Sequence, residues 1–234
     1  MQIEFFHDVI CSFCFPMSYR MRQLKEEMPE IEIIHRSYAL VQEPTDFDTL
    51  FGSRENAKKE IMTHWKHANQ NDDLHRFNIE GMKQQNFLFP TSMNGLTAVK
   101  AAEILKGSEG YWDLFDALQT ALFMNNKNIE EIAIIEAEVI KLGFNLEEWR
   151  RLFADEKTAE KVQEDIELIK HYGIKGAPSL VINGKYELSG AQPLLAIKQA
   201  IQRIKEQDQV TLQPIIEETA GGSCRLEDGN YSCD

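Results

Sequence analysis

The feature that most constrains this chain is the cysteine pair of Cys11-Ser12-Phe13-Cys14 and its surroundings. An apolar run over residues 3–10 precedes the pair, and residues 15–28 have a helical pattern. A strand that leads through Cys-x-x-Cys into a helix puts the first thiol near unpaired N–H groups and the partial positive charge of a helix N-terminus. Both favour the thiolate, the form that attacks disulfides. The arrangement predicts thiol–disulfide exchange, with Cys11 as the exposed nucleophile and Cys14 as the resolving thiol.

Two alternatives for this pair are half of a zinc site and two buried structural thiols. A closed zinc site takes four ligands, and the sequence contains no second Cys-x-x-Cys and no His-x-His. We therefore predict redox chemistry, with no metal. Ser12 and Phe13 are predicted to lie over the first turn, where they tune the thiolate and contact substrate. Pro16 deprives the Ser12 carbonyl of its helical donor, which predicts a local kink.

The composition limits the expected binding partners and the expected cellular compartment of the protein. The chain has 234 residues and a net charge of −13, with no run of Lys and Arg, so nucleic acid and anionic membranes are excluded as expected partners. No apolar stretch approaches the length of roughly 20 residues that a transmembrane helix needs. The start, Met1-Gln2-Ile3-Glu4, lacks the basic region of a signal peptide. We expect a cytoplasmic protein, in which cysteine pairs are more often catalytic or redox-sensing than structural.

The order of predicted elements indicates an α/β fold. Residues 31–38 read as a second strand, which completes a βαβ unit with a parallel strand pair. Residues 179–182 and 185–188 read as a hairpin around Asn183-Gly184. Helical patterns lie between the second strand and the hairpin and again after the hairpin. They cover residues 53–68, 92–105, 108–122, 130–142, 155–172 and 193–204. Ser92 is a candidate cap for its helix, and Asn145 with Glu148 resembles a capping box.

The economical architecture is one sheet assembled from the two ends of the chain, with helices inserted between them. We predict a first sheet-forming half at 1–45, an inserted helical domain at 46–157, and a second half with its preceding helix at 158–206. A polar tail follows at 207–234. We predict the second half of the site at Gly176-Ala177-Pro178, just before a strand. Proline cannot donate a hydrogen bond within a sheet, but it is tolerated at the start of a strand.

Together these motifs resemble the DsbA superfamily, and Ser189-Gly190-Ala191-Gln192 resembles its FrnE-like branch. The resemblance covers about residues 1–205. It implies a thioredoxin-like fold with a large all-helical insertion and protein disulfide oxidoreductase activity without a cofactor. It also implies that Cys11 is the nucleophile, Cys14 the resolving thiol and Pro178 a cis-proline beside the pair. Ala177 would offer its backbone to an extended protein substrate. The Ser-Phe dipeptide departs from the Pro-His and Pro-Trp pairs of the family, so the redox potential is not carried over.

Two other functions are compatible with the same motifs. The superfamily includes glutathione-dependent transferases and isomerases, which makes glutathione a second candidate partner. In those enzymes a Ser typically replaces the nucleophile, so the presence of both Cys11 and Cys14 favours redox work. The second alternative is a non-enzymatic adaptor that binds a partner and uses the cysteine pair as a redox sensor.

The tail carries a second cysteine pair, Cys224 and Cys233, separated by eight residues that include Asp228-Gly229. That dipeptide is a turn signal, so a disulfide between the two is sterically easy. The pair is predicted either to relay electrons to Cys11 and Cys14 or to form an inert loop. A zinc site shared with Cys11 and Cys14 is a third alternative.

The histidines give weaker signals. His7, near the end of the first strand, could modulate the Cys11 thiolate or be a hydrogen-bonded strand residue. His64 and His67 lie three residues apart on a charged helix, where a solvated face is the better interpretation than a metal site.

Overall fold

A four-stranded sheet is assembled from sequence segments that lie far apart. Strands β1 (Gln2–His7) and β2 (Glu32–Ser37) pair in parallel, and β3 (Ser179–Ile182) and β4 (Tyr186–Ser189) form an antiparallel hairpin. The strand order is β2-β1-β3-β4, so β1 also pairs with β3, in antiparallel register with Phe5 opposite Leu180. The hairpin turn is the predicted Asn183-Gly184, with φ of 52° and 65° as a tight two-residue turn requires.

This computed structural model describes residues 1–207 in full and residues 224–227 and 230–233 by their backbone. The chain divides into two compact units, Met1–Lys198 and Gln199–Asp234. Within the described residues, no helix combines the length and the apolar character needed to cross a membrane.

Helix α1 (Cys14–Glu27) connects β1 to β2, as a parallel strand pair requires. It begins one residue earlier than predicted, so Pro16 lies in its first turn. N–H groups of a first turn have no acceptor within the helix, and proline is tolerated there. The Ser12 carbonyl accepts instead from the Phe15 N–H at 3.4 Å. The predicted loss of a hydrogen-bond partner at Pro16 is thus compensated within the same turn.

Seven helices lie between β2 and β3 in the sequence. They are α2 (Asp46–Phe51), α3 (Arg54–Asn71), α4 (Ile79–Lys83), α5 (Met93–Phe123), α6 (Ile132–Lys141), α7 (Leu146–Phe153) and α8 (Glu156–Tyr172). Ser53 caps α3 by accepting from the Asn56 N–H at 3.1 Å. Asn145 caps α7 by accepting from the N–H groups of Glu147 and Glu148. The predicted division into sheet-forming and inserted parts places α2 to α7 in the insertion, and we retain it as a proposal.

Helix α5 replaces two helices that the sequence predicts separately, from Ser92 and from Ser108. The two merge across a break at Lys106 and Gly107, where Gly107 has a φ of 68°. Ser92 makes no cap hydrogen bond to α5, because its hydroxyl donates to the Asp8 carboxylate at 2.6 Å. The predicted Ser92 cap is therefore wrong.

Side chains of α5 and α8 cover the outer edge of β2. The Ser108 hydroxyl and the Lys100 ammonium each donate to a β2 carbonyl, those of Ile33 and His35, at 3.3 Å. The Ser37 N–H donates to the Asp165 carboxylate at 2.8 Å. Occupying these polar groups blunts the edge strand against pairing with a foreign strand. The α5 helix thus belongs to the core of the unit that carries the cysteine pair.

The C-terminal part begins with α9 (Leu194–Gln207), which extends three residues past the predicted end. Farther on, β5 (Cys224–Glu227) and β6 (Asn230–Cys233) form an antiparallel pair. In its register Cys224 is directly opposite Cys233. The predicted turn at Asp228-Gly229 lies outside the described residues.

Candidate active site

The cysteine motif forms two successive turns between β1 and α1. The Cys11 N–H donates to the Asp8 carbonyl at 3.2 Å, and the Cys14 N–H donates to the Cys11 carbonyl at 3.1 Å. Helix α1 begins at Cys14, so Cys11 lies in the turn ahead of the helix rather than in its first turn. Both cysteines are free thiols.

Cys11 is more enclosed than the sequence predicts. It is 5% exposed, and Cys14 is fully buried. The prediction that the Cys11 nucleophile is exposed is therefore wrong. We retain, as a proposal, the predicted order in which Cys11 acts first and Cys14 second. Cys11 lines a cavity formed with the helical insertion. A partner bound in that cavity would therefore lie beside Cys11.

The environment of Cys14 keeps its thiol protonated. Burial raises the pKa of Cys14 well above its usual value, and contact with Cys11 raises it further. A hydrogen bond from the Asp8 backbone N–H acts in the opposite direction. Because a thiol must lose its proton before it attacks a disulfide, Cys14 is suited to act second.

The Gly176-Ala177-Pro178 segment lies against the cysteine motif, as expected. The Cys11 Sγ is 3.6 Å from the Ala177 carbonyl oxygen, and the Ala177–Pro178 peptide bond is cis. The Pro178 carbonyl accepts from the Gly190 N–H at 2.8 Å. The Ser189–Gln192 segment thus supports the proline segment directly.

Arg20, which the sequence analysis did not single out, connects this segment to α1 and α3. Its guanidinium is buried and donates to the carbonyl oxygens of Ala191 and Gln192, each at 3.2 Å. It also donates to the Asn71 side chain and backbone and pairs with the Asp73 carboxylate. An Arg on a helix carries no sequence signal for such a role, and α1 contains a second one, Arg22.

Asp8 was also missed, although a polar residue within the apolar run is a usable signal. Its buried carboxylate accepts from the Ile10 N–H, the Leu40 N–H and the Ser92 hydroxyl at 3.2, 2.7 and 2.6 Å. Burial raises the pKa of Asp8 to about 6, against the effect of these hydrogen bonds. The carboxylate joins the cysteine turn to the 40–41 loop and to the start of α5.

His7 is a buried strand residue and does not line the cavity beside Cys11. Its ring is fully buried, stacks on Phe5 with a centroid separation of 4.0 Å, and places Nε2 3.3 Å from His35 Nδ1. Burial lowers the pKa of His7, and it lowers that of His35 to about 3. Both imidazoles are therefore neutral core residues near neutral pH.

The cavity beside Cys11 has a volume of about 270 Å³ and is mainly apolar. Its walls include Leu40, Val41, Phe47, Leu50, Trp65 and Phe89. Ser12 and His64 also line it, whereas Phe13 precedes α1 and packs half-buried against the core. His67 is exposed. Within the described part of the chain, no three His, Cys, Asp or Glu residues are placed to hold a metal.

Comparison with known proteins identifies the family and the fold of the chain. The DSBA-like thioredoxin domain matches residues 2–202. No significant match occurs among curated proteins. A candidate protein disulfide isomerase from Nitrosomonas europaea has a similar structure, with a TM-score of 0.72 and 16% identity over 88% of this chain and 98% of that one.

Two further structures are similar. The cytosolic disulfide reductase DsbM from Pseudomonas aeruginosa has a TM-score of 0.68 and 17% identity over 87% of this chain and all of that one. A 2-hydroxychromene-2-carboxylate isomerase has a TM-score of 0.63 and 12% identity, over 89% of this chain and 98% of that one. At these identities the likeness is one of fold, and it confirms the predicted thioredoxin-like fold with a helical insertion. On the domain match, the chain belongs to the DSBA-like thioredoxin domain family.

Proposed function

We propose that the chain is a protein thiol–disulfide oxidoreductase that works through Cys11 and Cys14. One observation carries the proposal: the Cys11 sulfur lies where an apolar cavity meets the Ala177 carbonyl, with the Cys14 thiol behind it. Membership of the family supports thiol–disulfide oxidoreductase activity in general. The FrnE-like branch and a cytoplasmic location are part of the same proposal; the similar DsbM is described as cytosolic.

The exchange proceeds in two balanced steps. In the reductive direction the Cys11 thiolate attacks a substrate disulfide, forms a mixed disulfide and releases one substrate thiolate, which takes up a proton. Cys14 then loses its proton and attacks the Cys11 sulfur, which releases the second substrate thiolate. The Cys11–Cys14 disulfide holds the oxidation equivalent, and two electrons have passed to the substrate. Oxidation of a substrate dithiol is the reverse sequence.

The cavity supports protein substrates rather than glutathione as the main partner. Of the described residues that line it, none is Lys, Arg, Asp or Glu, and Leu40 and Leu50 are 39% and 55% exposed. Glutathione carries carboxylates at both ends, which such a wall does not neutralise. A bulky apolar side chain next to a substrate cysteine would instead bury its surface there. The Ala177 backbone is proposed to accept the extended substrate chain.

A glutathione-dependent transferase or isomerase is the second candidate function. The likeness to the 2-hydroxychromene-2-carboxylate isomerase and to a structure of DsbM with glutathione favours it. A transferase or isomerase would not need Cys14, because conjugation and isomerisation use no resolving cysteine. Cys11→Ser and Cys14→Ser therefore separate the candidates.

Insulin reduction in dithiothreitol is the primary test. Wild type should accelerate insulin reduction, and Cys11→Ser should abolish this acceleration. Cys14→Ser should accumulate a mixed disulfide between Cys11 and insulin, which the variant with both cysteines replaced cannot form. Glutathione conjugation that survives Cys11→Ser would refute the oxidoreductase. Partner capture that is equally strong in wild type and Cys11→Ser, without reductase activity, would instead indicate the adaptor.

The role of the cavity is tested with disulfide peptides that carry either Phe or Asp beside the cysteine. Wild type should prefer the Phe peptide over both the Asp peptide and oxidised glutathione. Leu50→Ser should weaken this preference, because Leu50 lines the cavity. Leu195→Ser is the matched control: Leu195 is 66% exposed on α9 and lies outside the cavity lining. An unchanged preference in Leu50→Ser would exclude the cavity from substrate selection.

A further inference from the structure

Gln119, on α5, bridges two backbone carbonyls of the cysteine turns. Its side chain is fully buried, and Nε2 lies 3.2 Å from the Asp8 oxygen and 3.3 Å from the Cys11 oxygen. The contact reaches across 108 positions of the sequence, from the predicted helical insertion to the cysteine motif. Helix α5 therefore touches the backbone of the nucleophile itself.

These two carbonyls are the acceptors that close the successive turns. The Asp8 carbonyl accepts from the Cys11 N–H, and the Cys11 carbonyl accepts from the Cys14 N–H, at 3.2 and 3.1 Å. A carbonyl oxygen can only accept, so the nitrogen of the Gln119 amide has to face both of them. Its two N–H bonds then fix the point where one turn ends and the next begins, which is where Cys11 lies.

The oxygen of the Gln119 side-chain amide does not stabilise the fold through a hydrogen bond. Gln119 Oε1 is buried and has no hydrogen-bond partner among the described residues. A buried acceptor without a partner is destabilising, and an apolar side chain of the same shape would avoid that cost. The residue is therefore better explained by what its nitrogen holds in place than by its contribution to the core.

We propose that Gln119 is a positioning residue for Cys11, a role that rests on the proposed disulfide exchange. By holding both carbonyls, it keeps the Cys11 sulfur within reach of Cys14 and beside the Ala177 carbonyl. Closing the Cys11–Cys14 disulfide depends on the effective concentration of one thiol at the other. Without the two N–H bonds this concentration falls, and mixed disulfides resolve more slowly.

The test is the equilibrium between the Cys11–Cys14 disulfide and glutathione in Gln119→Met. Methionine has a similar size and lacks the donors. With Cys224 and Cys233 replaced by Ser throughout, acid quenching and alkylation give the oxidised fraction at each glutathione ratio. The equilibrium constant for disulfide formation should fall at least fivefold, and the mixed disulfide with glutathione should accumulate.

Asn94→Ala is the matched control. Asn94 is also on α5, and its amide donates to the Glu130 carbonyl at 3.0 Å, so its loss removes a comparable hydrogen bond away from the cysteines. Its glutathione equilibrium should stay within twofold of wild type. A Gln119→Met variant that loses thermal stability but keeps the wild-type equilibrium within twofold would overturn the proposal, since it would indicate a purely structural role.

Two measurements cover the case in which Gln119→Met does not fold. Gln119→Glu keeps the size of the side chain and places carboxyl oxygens against the two carbonyls, so the equilibrium should fall in the same direction. In wild type, the side-chain amide NMR signals of Gln119 should shift when Cys11–Cys14 is oxidised, and identical signals would contradict the proposal. Insulin reduction by wild type is measured in parallel: its absence would refute the proposed function, while the glutathione equilibrium would still report on Gln119.

Discussion

The Arg20 guanidinium and the Asp73 carboxylate form a two-point ion pair, with Nε–Oδ2 at 2.8 Å and Nη2–Oδ1 at 2.9 Å. The Arg20 side chain is 3% exposed, whereas that of Asp73 is 49% exposed. This pair anchors a guanidinium whose other hydrogen bonds go to Asn71 and to the Ala191 and Gln192 carbonyls. The supporting segment of the candidate site is thus tied to α1 through one cation.

Arg20→Met should therefore lower the free energy of unfolding by about 2–4 kcal/mol, because it removes a buried guanidinium together with its ion pair and its hydrogen bonds to the Ala191 and Gln192 carbonyls. Urea unfolding measures the change. Asp73→Asn is the control and should cost about 1 kcal/mol or less, since its carboxylate is half exposed and an acceptor remains. Equal losses in the two variants would show that the ion pair, and not the carbonyl contacts, determines the effect.

A second prediction concerns the buried pair of Lys100 and Asp165. Nζ and Oδ2 are 2.9 Å apart, and the side chains are 5% and 3% exposed. Lys100→Met should cost about 3–5 kcal/mol, because removing one partner leaves a charge buried with fewer counter-groups. In the exposed pair of Lys170 and Glu167, Lys170→Met should cost at most about 0.5 kcal/mol. Similar unfolding midpoints for the two Lys→Met variants would contradict this difference in burial.

The neutral pair of His7 and His35 predicts a loss of stability in acid. Burial, with the charges of Arg22 and Lys100, lowers the pKa of His35 to about 3, below its ordinary value of 6.5. Between these values the unfolded chain binds a proton that the folded chain does not, so stability falls as the pH drops from about 6.5 towards 3. The slope approaches about 1.4 kcal/mol per pH unit for this histidine.

Asp8 acts in the opposite direction, so the test is a comparison of variants. Its pKa of about 6 in the fold, against 3.8, means that the folded chain binds the extra proton and gains stability as the pH falls through that window. His35→Gln should retain more of its stability than wild type on going from pH 6.5 to pH 4.5. His67→Gln, on an exposed face of α3, should follow wild type. Parallel curves for His35→Gln and wild type would refute the neutral-histidine account.

The register of β5 and β6 sharpens the prediction for the tail cysteines. Directly opposed residues of an antiparallel pair have Cα separations of about 4.5–5.5 Å, within the range that a disulfide spans. Because Cys224 is opposite Cys233, we expect them to form a disulfide in oxidised protein. Peptide mapping without reduction tests the bond. If the pair also relays electrons, replacing both by Ser should change the reoxidation rate of Cys11–Cys14; an unchanged rate leaves only the structural role.

Local patterns in the sequence predicted most of the elements. Asn183-Gly184 forms the expected turn and Asn145 the expected cap, because each effect depends on neighbouring residues only. Ser92 failed as a cap because its hydroxyl donates to Asp8, a residue far away in the sequence. Arg20 and Gln119 could not be predicted for the same reason. Both residues donate to backbone carbonyls on distant segments, and a carbonyl has no signature in an amino-acid sequence.

The position of β1 in the sheet determines how long one of its edges stays unpaired while the chain is synthesised. β1 can pair with β2 as soon as residue 37 is made, but its other neighbour, β3, ends at residue 182. At synthesis rates of about 5–20 residues per second, this interval lasts on the order of ten seconds. Throughout it, the nascent chain carries Ile3, Phe5 and an unpaired strand edge while the intervening helices are synthesised. The nascent chain is therefore most prone to aggregate just before β3 and β4, the last two strands of the four-stranded sheet, are synthesised.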